Sequence, residues 1–131
     1  MTTAETKNFE VLLEDKRHEL IRTIRGKTAG LALEAGETEL TDQIQGMAGR
    51  DETAIMLDRF SSMLDNVERS LQAISDGSYG LCAMCEEPIA VKRLKAIPWA
   101  VHCVGCQEQF EAAQRSLAQA AIHERQLAYL R

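Results

Sequence analysis

The stretch from Tyr79 to Gln107, YGLCAMCEEPIAVKRLKAIPWAVHCVGCQ, contains all four cysteines of the chain. They form two C-x-x-C pairs separated by 17 residues: Cys82 with Cys85, and Cys103 with Cys106. This spacing is typical of a site in which four thiolates bind one zinc ion. Zinc takes its ligands tetrahedrally, and two residues between the cysteines of a pair let a tight turn aim both sulfurs at one ion.

Two other interpretations of these cysteines are weaker. A redox dithiol needs a single C-x-x-C pair beside a βαβ pattern, and no such pattern surrounds either pair. Two structural disulfides would require an oxidising compartment. Four thiolates fill the zinc shell and leave no position for a catalytic water, so we expect a structural metal. His102, beside Cys103, is a candidate substitute ligand, although a neighbouring loop residue is the simpler interpretation.

The composition restricts the class of protein. The chain has 131 residues, enough for one domain or one domain with an appendage, and a formal net charge of −5. This acidity argues against a general nucleic-acid binder. The opening residues are amphipathic and charged rather than a secretory leader, and no apolar run approaches the roughly 18 residues needed to span a bilayer. Together with reduced cysteines, these features predict a cytoplasmic protein.

Apolar residues at three- and four-residue spacing predict a first helix from about Phe9 to Leu33. A second helix is predicted from Asp51, with Asp51 or Thr53 as its cap, to Asp76-Gly77, where glycine suits the left-handed position after a helix. The apolar positions of the first helix are Phe9, Leu12, Leu13, Leu20, Ile21, Ile24 and Leu31. Those of the second alternate strictly between three and four, as in a coiled coil, and are Leu57, Phe60, Leu64, Val67, Leu71 and Ile74.

Between these helices, the segment from Glu34 to Asp51 contains three glycines and several unpaired acidic residues, which predicts a flexible, solvated connection. A third helix is predicted from about Val104 to Leu130, with a narrow face of small residues suited to close packing. The predicted fold is all-α: a long antiparallel helical hairpin at 1–76 with its tip near 36–51, a four-cysteine zinc finger at 77–107, and a C-terminal helix at 108–131.

The order and spacing of several short motifs resemble the DksA/TraR family of bacterial transcription regulators. The matching motifs are Tyr79-Gly80, Cys82-x-x-Cys85, Pro88-Ile89, Arg93-Leu94-x-Ala96-x-Pro98 and Cys103-x-x-Cys106. The resemblance covers about thirty residues closely, and the helical hairpin matches in architecture. It implies a zinc-finger globule that carries a coiled-coil finger. It also implies that the protein binds RNA polymerase through its secondary channel and alters promoter-complex lifetime without binding DNA.

The resemblance also places candidate partner-binding residues at the finger tip. The family's tip motif D-x-x-D-x-A corresponds to a segment in which Asp42 retains the first aspartate, while Gln45 and Met47 replace the second aspartate and the alanine. An acidic tip between two helices suits a finger aimed at a magnesium-bearing active site.

Three further positions concern the alarmone ppGpp. Family members that respond to ppGpp carry basic residues where this chain has Asn66, Ile97 and Gln107, so the resemblance implies a weak or absent ppGpp response. The family's glycine after the second cysteine, which eases the turn around the metal, is Glu86 here, so the resemblance implies a reduced zinc affinity and allows a metal-free form.

The resemblance therefore implies a polymerase-binding transcription regulator. An enzyme is not expected, since no nucleophile–base constellation stands out. Lys92, Arg93 and Lys95 form a small basic cluster beside the zinc site: either an ordinary solvated face or a contact with an acidic polymerase surface. Two alternatives remain open. One is a zinc-stabilised coiled-coil adaptor for another protein. The other is a DNA-binding zinc finger, against which the acidity and the lack of a basic recognition helix count.

Overall fold

Four helices make up the regular structure of the protein. The computed structural model describes the backbone of residues 1–34 and 40–130 and the side chains of residues 1–30 and 52–130. The helices are α1 (Thr3–Glu34), α2 (Leu40–Asp76), α3 (Val91–Ala96) and α4 (Val104–Leu130). Helices α1 and α2 pack against each other along the hairpin, and the segment between α2 and α4 forms a small globule at its base. The predicted all-α class with a helical hairpin is confirmed.

Helix α1 begins six residues before the predicted start because its first turn is capped by polar side chains. The Thr2 backbone N–H donates to Glu5 Oε2 at 2.8 Å, and the Glu5 backbone N–H donates to Thr2 Oγ1 at 3.2 Å. This reciprocal capping box satisfies two N–H groups that the helix leaves without partners. The Thr2 hydrogen bonds also lower the pKa of the Glu5 carboxyl. The sequence prediction relied on the apolar stripe, which starts at Phe9, and therefore missed this polar first turn.

The hairpin core, which we call the finger core, contains the fully buried or nearly buried side chains of Leu13 and Leu20 from α1 and Val67 from α2. Most of the predicted seam of α2 surrounds these residues: Phe60, Leu64, Leu71 and Ile74, joined by Met63. Leu12, which was predicted to lie on the α1 stripe, is 51% exposed, so that assignment is wrong. The two neighbouring leucines could not both face α2, since adjacent helical positions are rotated by about 100°.

Helix α2 starts at Leu40, so the predicted flexible connection is wrong for residues 40–51, and neither Asp51 nor Thr53 is its cap. Glycines 46 and 49 each cost about 1 kcal/mol relative to alanine, an amount that extension of an established helix can offset. The predicted tip residues Asp42, Gln45 and Met47 have helical backbones in the first turns of α2, and their side chains lie outside the described residues. Residues 35–39 lie outside them as well.

The end of α2 agrees with the predicted glycine cap. Gly77 has φ of +80°, in the left-handed region that side chains disfavour. The Ser78 N–H donates to the Ala73 carbonyl at 2.9 Å, and the Gly77 N–H donates to the Ile74 carbonyl at 3.3 Å. This pair of bonds is the Schellman motif, and it turns the chain from the hairpin into the globule.

Helix α4 has the predicted bounds, but its apolar face has no packing partner among the described residues. From Glu111 to Leu130 every side chain is exposed, including Leu117 at 72% and Tyr129 at 90%. Phe110, near the start of the helix, still contacts the globule, with its ring centroid 5.4 Å from that of His102. The helix is therefore attached to the globule at its first two turns.

Candidate metal centre

The four cysteines meet at one point of the globule. The Sγ atoms of Cys82, Cys85, Cys103 and Cys106 all lie within 4.8 Å of one another. The Cys85 and Cys103 sulfurs are 3.8 Å apart. Four thiolates arranged tetrahedrally about zinc at about 2.3 Å have sulfur–sulfur separations of about 3.8 Å. The sulfur positions therefore fit one zinc ion.

The first cysteine pair lies on a tight turn between short extended segments. The Cys82 N–H donates to the Glu87 carbonyl at 2.9 Å, and the Glu86 N–H donates back to the Cys82 carbonyl at 3.0 Å. An isolated antiparallel bridge between Leu81 and Pro88 closes the base of the turn. Glu86 has φ of 61°, and among the described residues it alone adopts positive φ without being glycine. The turn thus demands the conformation for which glycine is best suited.

The second cysteine pair uses the start of α4. Cys103 immediately precedes the helix, and its sulfur accepts a hydrogen bond from the Cys106 backbone N–H at 3.5 Å. A side-chain acceptor at this position normally comes from serine, threonine or aspartate. Here a cysteine takes that place, and the positive end of the helix dipole lies beside the cysteine sulfurs. The start of α4 therefore fixes the position of Cys106 relative to Cys103.

The pKa values of the cysteines reflect this crowding. Burial opposes ionisation of Cys82, yet hydrogen bonds from the backbones of Cys85, Cys103 and Met84 lower its pKa to about 6. Contacts of the Cys106 thiol with the sulfurs of Cys103 and Cys82 raise its pKa to about 12. At Cys85 the Glu87 backbone lowers the pKa, but the Cys82 sulfur and desolvation outweigh it, so the net shift is upward. Adjacent thiolates disfavour further ionisation, and a bound divalent cation relieves that repulsion.

These observations define a site for one structural zinc ion, since four thiolates complete the tetrahedral shell. His102 is not part of the cluster. Its Nδ1 lies 3.2 Å from Gln107 Oε1, and Gln107 Nε2 donates to Glu111 Oε1 at 3.0 Å. This chain of hydrogen bonds orients the histidine beside the metal site rather than in it, in agreement with the simpler interpretation of the sequence.

The basic cluster lies on α3, a short helix that the sequence analysis did not predict. Leu94 anchors α3 in the globule core, where its side chain is fully buried. Arg93 is half-buried and donates from Nε to the His102 carbonyl at 3.2 Å, which fastens the segment before Cys103. Lys92 and Lys95 are exposed. The three residues therefore divide into one structural arginine and two surface lysines.

The structure also brings together the three positions that the family resemblance linked to ppGpp. Asn66, Ile97 and Gln107 line one cavity of about 420 Å³, to which Glu108 and Glu111 also contribute. The one basic residue in its lining is Arg93. The cavity thus offers two carboxylates, two amides and one guanidinium.

Comparison with known proteins identifies the fold and the site. Residues 77–112 match the family described as prokaryotic dksA/traR C4-type zinc finger. The RNA polymerase-binding transcription factor DksA of Caulobacter vibrioides is 28% identical over 116 residues, which cover 88% of this chain and 82% of that protein. The protein of the same name from Escherichia coli strain K12 is 26% identical over 121 residues, 90% of this chain and 79% of that one.

A solved structure shows the same architecture. The transcription factor DksA2 from Pseudomonas aeruginosa superposes with a TM-score of 0.74 at 29% sequence identity, over 88% of this chain and 89% of that one. The chain is similar to DksA proteins in its zinc-finger sequence and in its fold. The similarity therefore includes the helical hairpin as well as the four-cysteine zinc finger. The family match at residues 77–112 covers the zinc finger alone.

None of the described helices is long and apolar enough to cross a membrane.

Proposed function

We propose that this protein binds bacterial RNA polymerase and regulates transcription without catalysing a reaction. The observation that carries the proposal is the superposition on DksA2 along nearly the whole chain, which includes the hairpin as well as the zinc finger. Relatives that match over more than three quarters of their own length are named RNA polymerase-binding transcription factors. The zinc globule would form the base of the molecule, and the α1–α2 hairpin would enter the secondary channel.

We further propose that Asp42 is the main contact at the finger tip. Asp42 is in the first turn of α2, at the opposite end of that helix from the zinc globule. A carboxylate there would meet the magnesium ion and basic groups of a nucleic-acid polymerase. Gln45 and Met47, on the following turn, can contact the channel wall but cannot add negative charge. The regulatory output of the tip would then depend mainly on Asp42.

The exposed lysines of α3 are proposed as a second contact. Lys92 and Lys95 project from a helix that Leu94 fixes in the core, so their approximate positions are determined by packing. Two such cations would attract an acidic surface and make the affinity salt-dependent. Arg93 is a weaker candidate for this contact because it already donates to the His102 carbonyl.

We propose that ppGpp has little effect on the complex. The cavity that contains Asn66, Ile97 and Gln107 holds Glu108 and Glu111, whose negative charge opposes a polyphosphate. Arg93 supplies the only cation of the lining, and its Nε is engaged. A titration of ppGpp into the polymerase complex should show no binding at micromolar concentration. The triple variant Asn66→Lys, Ile97→Arg and Gln107→Lys should gain binding; micromolar binding by the wild type would refute the proposal.

The test of the main proposal is direct binding to purified bacterial RNA polymerase, measured by biolayer interferometry. The wild type should bind with a dissociation constant that rises with salt. Cys82→Ser should lose binding because the globule does not keep its fold when the zinc shell is broken. Asp42→Asn should retain binding and alter promoter-complex lifetime.

Lys92→Ala with Lys95→Ala should weaken binding several-fold and reduce its salt dependence. If the zinc-loaded wild type does not bind polymerase, the adaptor hypothesis replaces this one, and any protein that co-purifies stoichiometrically becomes the candidate partner.

A further inference from the structure

The globule and the hairpin each have their own buried cluster of apolar side chains. The globule core contains Phe9, Cys82, Ile89 and Leu94. The finger core, defined above, contains Leu13, Leu20 and Val67. Among the described residues, Tyr79 is the one side chain that packs against both clusters. It occupies the joint between the end of α2 and the first zinc-binding turn, two residues after the glycine that ends the helix.

We propose that Tyr79 is a positioning residue that fixes the direction of the finger relative to the zinc globule. Its ring packs on Phe9 of α1, with ring centroids 5.5 Å apart and planes tilted by 51°. Its hydroxyl donates to the Pro98 carbonyl at 2.8 Å. The side chain therefore joins three segments: the first turns of α1, the chain entering Cys82, and the loop between α3 and Cys103.

The hydrogen bond to Pro98 restricts the orientation of the Tyr79 side chain more than ring packing alone would. A ring pair between aromatic side chains tolerates sliding and tilting, because offset and edge-to-face arrangements are close in energy. A hydrogen bond to a fixed carbonyl is directional and weakens steeply when its angle changes. Pro98 is itself buried, and the Ala100 N–H donates to the Ile97 carbonyl at 3.0 Å, so the loop presents its acceptor at a defined place.

The next residue in the loop, Trp99, also contacts the hairpin. The Lys16 ammonium lies 5.3 Å from the centroid of the Trp99 ring, and Trp99 packs against the finger core. This cation–π contact connects α1 to the same loop that accepts the Tyr79 hydrogen bond. Two adjacent loop residues are thus held by two different segments, Pro98 by the turn after α2 and Trp99 by α1. Rotation of the hairpin about the Ser78 turn would move Lys16 away from Trp99 and Phe9 away from the Tyr79 ring, which the Pro98 hydrogen bond holds in place.

The state of the hydroxyl does not change near neutral pH. Burial raises the pKa of Tyr79 to about 12, so the group remains protonated and continues to donate to Pro98. The Tyr79–Pro98 hydrogen bond is therefore retained near neutral pH.

The orientation can be measured without relying on polymerase. Ketone-bearing amino acids at Ser62 on α2 and Ala96 on α3, both exposed, can carry nitroxide labels while the four cysteines remain on zinc. Double electron–electron resonance then gives the distribution of distances between the nitroxide on the finger and the nitroxide on the globule. Tyr79→Phe keeps the ring and removes only the hydroxyl. Tyr129→Phe, at a side chain that is 90% exposed, is the matched control.

We expect one narrow distance distribution for the wild type and for Tyr129→Phe, and a clearly broader one for Tyr79→Phe. All three proteins should bind one zinc ion and show the same helical circular dichroism. A Tyr79→Phe distribution that overlays the wild type would overturn the proposal. Lys16→Met, which removes the cation over Trp99, should broaden the distribution as well, and a further broadening is expected when both changes are combined.

A second readout rests on the proposed function. If the finger must enter a channel while the globule binds outside, a poorly directed finger lowers affinity. Tyr79→Phe should raise the polymerase dissociation constant about two- to twelvefold, the range that corresponds to one hydrogen bond of about 0.5–1.5 kcal/mol. Failure of the wild type to bind polymerase would contradict the proposed function alone, because the distance distributions would still test the role of Tyr79.

Discussion

Leu13 on α1 and Val67 on α2 belong to one buried cluster, and neither side chain is accessible to solvent. This relationship fixes the register of the antiparallel hairpin near its base. Arg17, one turn further along α1, lies 3.7 Å from Glu68 across the same interface. The ion pair is exposed and contributes little, so the apolar pair carries the stability of this region.

Leu13→Ala should therefore destabilise the protein by about 2–5 kcal/mol, because it leaves a cavity in the finger core. Leu12→Ala is the matched control. Leu12 is 51% exposed, so its substitution should lower the free energy of unfolding by less than about 1 kcal/mol. Urea denaturation followed by circular dichroism at constant zinc concentration measures both. Equal losses for the two variants would show that the hairpin has a different register.

Gly77→Ala should destabilise the protein by about 1–2 kcal/mol, because a Cβ is disfavoured at φ of +80°. Gly26→Ala provides the contrast: that glycine is inside α1, and a Cβ there would meet nothing within 4 Å. The control variant should gain up to about 1 kcal/mol from helix propensity. The midpoint of thermal unfolding should thus fall for Gly77→Ala and rise for Gly26→Ala. A shift in the same direction for both variants would contradict the assigned end of α2.

Glu86→Gly should stabilise the zinc-loaded protein by about 1 kcal/mol and slow the loss of zinc to a chelator about fivefold. The reason is the left-handed backbone of Glu86, which glycine adopts without strain. Glu87→Gly is the control, because Glu87 does not have a positive φ. This substitution should not raise the stability or slow the loss of zinc. No change in chelator resistance for Glu86→Gly would mean that the strain is already relaxed in solution.

Zinc binding should release at least two protons at pH 7.5. The pKa values of Cys85 and Cys106 are raised, so both thiols are protonated in the metal-free protein and must ionise to bind zinc. Zinc affinity should fall as the pH falls, and more steeply below about pH 6, where Cys82 also becomes protonated. Calorimetric titrations in buffers of different ionisation enthalpy count the protons. Release of fewer than two would contradict the four-thiolate site.

The parts of the fold that follow from local sequence patterns were predictable. The spacing of the cysteines determines the metal site because only a tight turn fits between the members of each pair. Phe60, Leu64, Val67 and Leu71 repeat with the period of a coiled coil, so the core face of α2 could be read directly. Gly77 marked the end of that helix because glycine accepts the left-handed conformation at no steric cost.

Other parts depend on information that a local pattern does not contain. The start of α2 was misplaced because glycines 46 and 49 suggest a loop, whereas helix propensity is a weak preference that a longer helix can override. The contact of Phe9 with Tyr79 joins residues far apart in sequence, and periodicity does not say which helix ends meet. Asn66, Ile97 and Gln107 share a cavity only because three separate elements converge there.

The most direct test of the central claim, that the finger enters the polymerase channel, is photo-crosslinking from position 42. A photoreactive amino acid replaces Asp42, and Gln119 on α4 serves as the control position because it is exposed and lies outside the hairpin. In the complex with bacterial RNA polymerase, position 42 should crosslink to segments of the largest subunits close to the active-site magnesium, and position 119 should not. Crosslinks from position 42 confined to the outer surface of polymerase, in a complex that forms with normal affinity, would contradict the account.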